Sequence, residues 1–114
     1  MPWLLLELSV LSLQTVIDML HLIFQSPIQL PVLERIGSDD DVVFLESSVL
    51  SLLSKGSLQA VLVPMLAHNK FYVLLEDIEI RGIQPTELVL GIEVIDYEGL
   101  VNLTVKNPHI LTWT

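Results

Sequence analysis

Four short apolar runs constrain this chain more than any other feature: "MLHLIF" (19–24), "VVFLE" (42–46), "KFYVLLE" (70–76) and "IEVID" (92–96). Each runs into a polar or acidic residue, and a helical pattern starts there. "VVFLE" is β-branched, aromatic and apolar at consecutive positions, as expected of a strand buried on both faces. Strands of this kind alternating with helices imply a mostly parallel sheet joined by right-handed crossovers. The fold class is therefore α/β, and 114 residues suffice for one domain with one core.

The segments between the runs carry helix start and stop signals. "QSPIQLP" (25–31) is a turn leading into a short helix that ends near Gly37, or a loop, because Pro27 and Pro31 remove backbone donors. "GSDDD" (37–41) reads as a solvated turn. "SSVLSLLSKG" (47–56) reads as a helix capped by Ser47 or Ser48 and closed by Gly56 in the left-handed conformation. "SLQAVLVPMLAHN" (57–69) is a second helical piece, with Pro64 kinking it or lying in its first turn. "DIEIRG" (77–82) is a helix of one or two turns stopped by Gly82. A turn at Gln84-Pro85-Thr86 follows. "YEGLVNLTVKN" (97–107) is a helix ended by Pro108, and "ILTW" (110–113) is a last edge strand.

Charge narrows the partners. The chain carries 14 acidic and five basic residues, a net charge of −9. Four cations, Arg35, Lys55, Arg81 and Lys106, stand just before helix-stop signals, where they complement the helix dipole. Direct nucleic-acid binding needs a clustered surplus of Lys and Arg, which is missing. There is no cysteine, which excludes disulfides, thiolate metal sites and thiol nucleophiles and is compatible with a cytoplasmic protein. With 52% hydrophobic residues the chain is more apolar than a self-contained domain needs, so a partner is expected to cover some of its surface. "MPWLLLELSVLSLQTVID" (1–18) is interrupted by Glu7, Ser9, Ser12 and Gln14 and is too short to span a bilayer. Residues 1–18 are read as an extension outside the core fold, and residues 19–114 as the domain.

Each candidate site in the sequence competes with a structural role. Glu46, Asp77 and Asp96 fall at the carboxyl ends of strands, the edge where open α/β sheets bind ligands. A carboxylate cluster there could hold Mg²⁺ or move protons. Helix capping accounts for the same residues more simply. The turn after the first run has no glycine, so nothing prepares it for a phosphate. His21, His68 and His109 lack metal-ligand spacing, and His21 inside a strand reads as a hydrogen-bonded core or interface residue. No serine is marked as activated, and "NLT" (102–104) lies in a helix. These readings leave no catalytic, cofactor-binding or metal-binding residue to assign.

Taken in order, "MLHLIFQSP" (19–27), "VVFLES" (42–47), "FYVLLEDIEIRGI" (71–83), "IEVIDYEGLVNLTVKN" (92–107) and Trp113 near the end resemble the TusB/DsrH family. The most specific pieces are "LH…SP", the "ED…RG" helix and "DY…V.LTVK". The resemblance runs from Met19 to the end, with the region from Pro27 to Asp41 shorter than in typical members. It implies a three-layer α/β/α, DsrEFH-like fold with a small, mostly parallel sheet of four to five strands. It also implies a place in a heterohexamer with TusC/TusD-like (DsrF/DsrE-like) subunits. In the Tus branch such complexes relay persulfide sulfur for 2-thiolation of the tRNA wobble uridine. In the Dsr branch they serve dissimilatory sulfur oxidation. DsrH-type members often carry a cysteine in the first helical region, where this chain has "IQLPVLERIG".

The expectation is thus a cytoplasmic, non-catalytic structural subunit of a sulfur-relay complex, without cofactor and without direct contact to nucleic acid or membrane. Two alternatives stay open: a DsrH-like subunit of sulfur oxidation, and a small self-associating enzyme or ligand-binding domain that uses the acidic strand-end edge.

Overall fold

A computed structural model describes residues 19–114; the expected extension, residues 1–18, lies outside the described residues. Five strands form one sheet: β1 (Met19–Ile23), β2 (Asp41–Phe44), β3 (Lys70–Leu74), β4 (Glu93–Ile95) and β5 (His109–Trp113). Their order is β4-β3-β2-β1-β5, and every neighbouring pair is parallel. The connections hold helices α1 (Leu30–Glu34), α2 (Gln59–Met65), α3 (Leu75–Ile80) and α4 (Tyr97–Lys106), with 3₁₀ segments at Glu46–Leu52 and Pro85–Glu87.

Topology decides which face each helix covers. From β1 to β4 the chain steps one way across the sheet, so right-handed crossovers place every connection on one face. The return from β4 to β5 steps the other way and puts α4 on the opposite face. Two cores follow. The larger, on the crowded face, contains Ile23, Val42, Phe44, Phe71 and Val73 from the sheet, packed by Val32, Leu33, Val49, Leu52, Leu62 and Ile78. The smaller contains Leu20, Val43, Leu45, Tyr72 and Leu74, packed by Leu103 of α4. Alternation along the strands produces this split: Val42 and Phe44 point to one face and Val43 to the other, all fully buried. The expectation of a doubly buried central strand is met.

Several local expectations change in the structure. The segment after β2 is a 3₁₀ helix and not an α-helix. Ser48 is buried, accepts from the Leu45 N–H (3.0 Å), and its one hydroxyl proton is shared between the carbonyls of Ile23 and Leu45, each 2.7 Å from Oγ. Such side-chain bonding competes with the α ladder. A three-residue turn also puts Val49 and Leu52 on one side, and both are fully buried. Gly56 does not take the left-handed conformation; Gly82 (φ 68°), which stops α3 as expected, and Gly91 (φ 107°) do. Pro64 lies in the last turn of α2, one residue before its end. The "DDD" turn is not solvated throughout. Asp39 is exposed at φ 72°, which Asp tolerates, but Asp40 and Asp41 are buried. Asp41 opens β2 and accepts from the Asn107 amide (3.1 Å) and Lys106 Nζ (3.4 Å), tying the end of α4 to the sheet.

Candidate functional site: the crevice beside β1 and β5

Strand order reverses at β1, since β2 lies on one side of it and β5 on the other. Ligand crevices of open α/β sheets form at such a switch point, beyond the carboxyl ends of the strands. An open crevice of about 770 Å³ lies there, lined by Phe24, Gln25, Ser26, Glu46, Thr112 and Thr114. Its inner wall is fixed by the N–H groups of Phe24 and Gln25, which donate to the Trp113 carbonyl (2.8 and 3.2 Å). Glu46 follows β2 at φ 54°, a left-handed conformation that is strained for a glutamate. Its N–H donates to Asp77 Oδ2 (2.7 Å), which helps to hold it there.

The three strand-end acids do not form one cluster in the crevice. Asp96 is the N-cap of α4 and accepts from the Gly99 N–H (2.9 Å). Asp77 caps no turn of its own helix; it serves the first residue of the neighbouring 3₁₀ segment. Arg81 steadies that arrangement, donating to the Asp77 carbonyl (3.0 Å) and to Ser47 Oγ (3.4 Å). Of the three, Glu46 alone lines the crevice. Helix starts therefore account for Asp96 and, across two segments, for Asp77. Among the described residues no three His, Asp or Glu side chains are grouped to hold a metal ion.

The histidines separate as well. His21 is fully buried, with Nε2 2.9 Å from Asp40 Oδ2, and Trp113 Nε1–H donates to its Nδ1 (3.1 Å). The indole is only a donor, so Nδ1 accepts and the ring proton sits on Nε2, facing Asp40. The His21 and Trp113 rings also lie nearly parallel, with centroids 6.3 Å apart. Both ring nitrogens are occupied, so His21 offers no base to the hydroxyls of Ser26, Thr112 or Thr114. His68 lies beyond α2, where its carbonyl accepts from the Asp39 N–H (2.8 Å), and exposed His109 opens β5. Asp40 escaped the sequence reading because, beside the local Gly37 N–H, its partners His21 and Met19 are brought to it only by the fold.

What remains in the crevice is one carboxylate, one amide and hydroxyls, with no thiol anywhere in the chain. Fold and site together define a small three-layer α/β protein whose switch point is built but chemically sparse. The same fold is seen in the ychN protein of E. coli (TM-score 0.70, 15% identity, covering 84% of this chain and 98% of that one). It recurs in a Methanobacterium thermoautotrophicum protein of unknown function (TM-score 0.66, 11% identity, covering 83% and 96%).

The particular family is shown by sequence. The model of the DsrH-like protein family matches residues 24–110. Protein TusB of Photorhabdus laumondii is 32% identical over 98 residues, and Protein TusB of Cronobacter sakazakii 33% over 99; each alignment covers 83% of this chain and the whole relative. This chain belongs to the DsrH-like family, the TusB/DsrH family of the sequence reading.

Proposed function

We propose that this chain is a non-catalytic subunit of a cytoplasmic sulfur-relay complex, of the kind that supplies sulfur for 2-thiolation of the tRNA wobble uridine. The observation that carries the reading is a family member without a single cysteine. Persulfide sulfur travels between thiolates, and no serine, threonine or histidine replaces a thiolate in holding it. The sulfur is then held by TusC- or TusD-like subunits with which the chain assembles. The first helical region, where DsrH-type members often carry cysteine, supports the Tus branch over the Dsr branch: α1 is "LPVLE". Residues 19–114 are the folding unit in this reading, and residues 1–18 an addition to it. Among the described residues no helix is long and apolar enough to cross a membrane.

The test uses a cysteine desulfurase and cysteine labelled at sulfur, with the chain alone and in complex with TusC- and TusD-like subunits. Label is expected on a partner cysteine and not on this chain, and sulfur transfer is expected to fall when this chain is left out. A complex that transfers sulfur equally well without it overturns the proposal.

A further inference from the structure

Helix α4 is apolar on two sides. Leu100 and Leu103 pack toward the sheet. Tyr97, Val101 and Val105 face outward and are 58%, 57% and 80% exposed. At a spacing of four they form one stripe along the outside of the helix. The outer face of a surface helix is ordinarily polar, and an aligned apolar set there marks a contact surface.

The charge of the rim identifies what covers it. Glu93 on β4, Asp96 and Glu98 are all exposed around the start of α4, while the cation at its far end, Lys106, is engaged by Asp41 at 3.4 Å. An acidic rim around an apolar stripe calls for an occupant with cations at its own edge. A second copy of this chain is a poor one, because two-fold docking of the face on itself sets these acids against each other. The chain has only five basic residues against 14 acidic ones with which to compensate.

We propose that the outer stripe of α4, Tyr97, Val101 and Val105, is the seat of a different subunit, one that presents an apolar patch rimmed by lysine or arginine. The inference rests on reading the chain as a subunit, and adds which surface binds and what chemistry binds it.

The test is capture of co-expressed TusC- and TusD-like subunits by the tagged full chain, with native mass measurement. In the double variant Val101→Lys, Val105→Lys, lysine keeps the helix, because its helix propensity exceeds that of valine. Capture is expected to fall about tenfold or more, as for loss of central contacts in an interface. Glu98→Lys is expected to weaken capture less, and added salt to weaken wild-type capture. Leu90→Lys and Ile80→Lys, at residues 94% and 80% exposed elsewhere on the surface, are expected to bind as wild type. Circular dichroism and melting confirm that each variant is folded; if the lysine pair melts early, Val101→Ser with Val105→Ser replaces it. A folded stripe variant with undiminished capture overturns the surface while leaving the subunit reading intact. A wild-type chain that captures neither subunit overturns both. A homodimer broken by Val101→Lys identifies a second copy as the occupant and also overturns the proposal.

Discussion

Asp40→Ala is the substitution with the most to lose in this fold. The carboxylate accepts three hydrogen bonds: from the Met19 N–H at 3.1 Å, from the Gly37 N–H at 2.9 Å and from His21 Nε2 at 2.9 Å. It thereby joins the start of β1, the turn before β2 and, through His21 and Trp113, the edge strand β5. Alanine leaves the His21 N–H without a partner at a fully buried position. A net contribution of about 1 kcal/mol per bond gives a loss of about 3 kcal/mol, with the orphaned His21 donor placing the value at the upper end. For a domain of this size that lowers Tm by about 12–24 °C. Asp40→Asn keeps a single carbonyl acceptor for three donors and is expected to fall between alanine and wild type. Asp39→Asn, one residue away at an exposed position that asparagine tolerates, is the control and is expected to melt within about 2 °C of wild type. Trp113→Phe removes the donor to His21 Nδ1 and is expected to cost about 1 kcal/mol. Combined with Asp40→Ala it is expected to cost less than the sum, because both act through one ring. The assay is thermal and urea unfolding followed by circular dichroism. If Asp40→Ala melts with Asp39→Asn, the buried network is not what fastens β5, and the reasoning fails.

Asp96→Ala is expected to cost about 0.5–2 kcal/mol by loss of the α4 cap, whereas Asp96→Asn retains most of the stability and any sulfur-transfer activity of the complex; an inactive but folded Asp96→Asn would make the acid chemical. The Tyr72 phenol is pushed above its ordinary value, first by burial and then by the charges of Asp41 and Glu93. A raised folded-state value leaves stability intact below about pH 10 and withdraws it as pH climbs through the folded-state value. Tyr72→Phe is therefore expected to match wild type near neutrality and to lose less Tm above about pH 10, read from melts across that range. A chain starting at Met19 is expected to melt within a few degrees of the full chain, since the alternating strand and helix pattern and the family resemblance both begin there; a collapse on truncation shows that residues 1–18 belong to the fold.

What was legible in the sequence was local. The ten-residue helix α4 was found nearly to the residue, because its cap Asp96, its inward Leu100 and Leu103 and its stop at Pro108 all lie within one stretch of chain. The helix stop at Gly82 and the edge strand β5 were readable for the same reason, whereas the left-handed conformation expected at Gly56 falls at Gly82 instead. What escaped was long-range. Asp77 caps a segment 31 residues away, so its position beside its own helix misled about which turn it serves. Asp40 and Asp41 looked like a polar turn because their donors lie up to 66 residues distant. His21 and Trp113 both stood in the stretches that resemble the TusB/DsrH family. Yet a contact across 92 residues leaves no periodicity or spacing to read.

The placement of charge closes the argument about function. Asp40, Asp41, Asp77 and Asp96 each hold the fold together through hydrogen bonds to this chain's own donors. Of the five cations, Lys106 faces Asp41 and Arg81 lies beside Asp77, so both contacts join acids already in structural use. The excess acidity is therefore left on exposed residues such as Glu34, Glu79, Glu93 and Glu98. A phosphate backbone is repelled by such a surface and gains nothing from counterion release there. If the relay complex ends on RNA, the contact must come from a basic subunit, and an acidic neighbour is well suited to bind that subunit on its other side. On the proposed reading, the same distribution of charge disfavours direct contact with nucleic acid and suits the α4 face to a cationic partner.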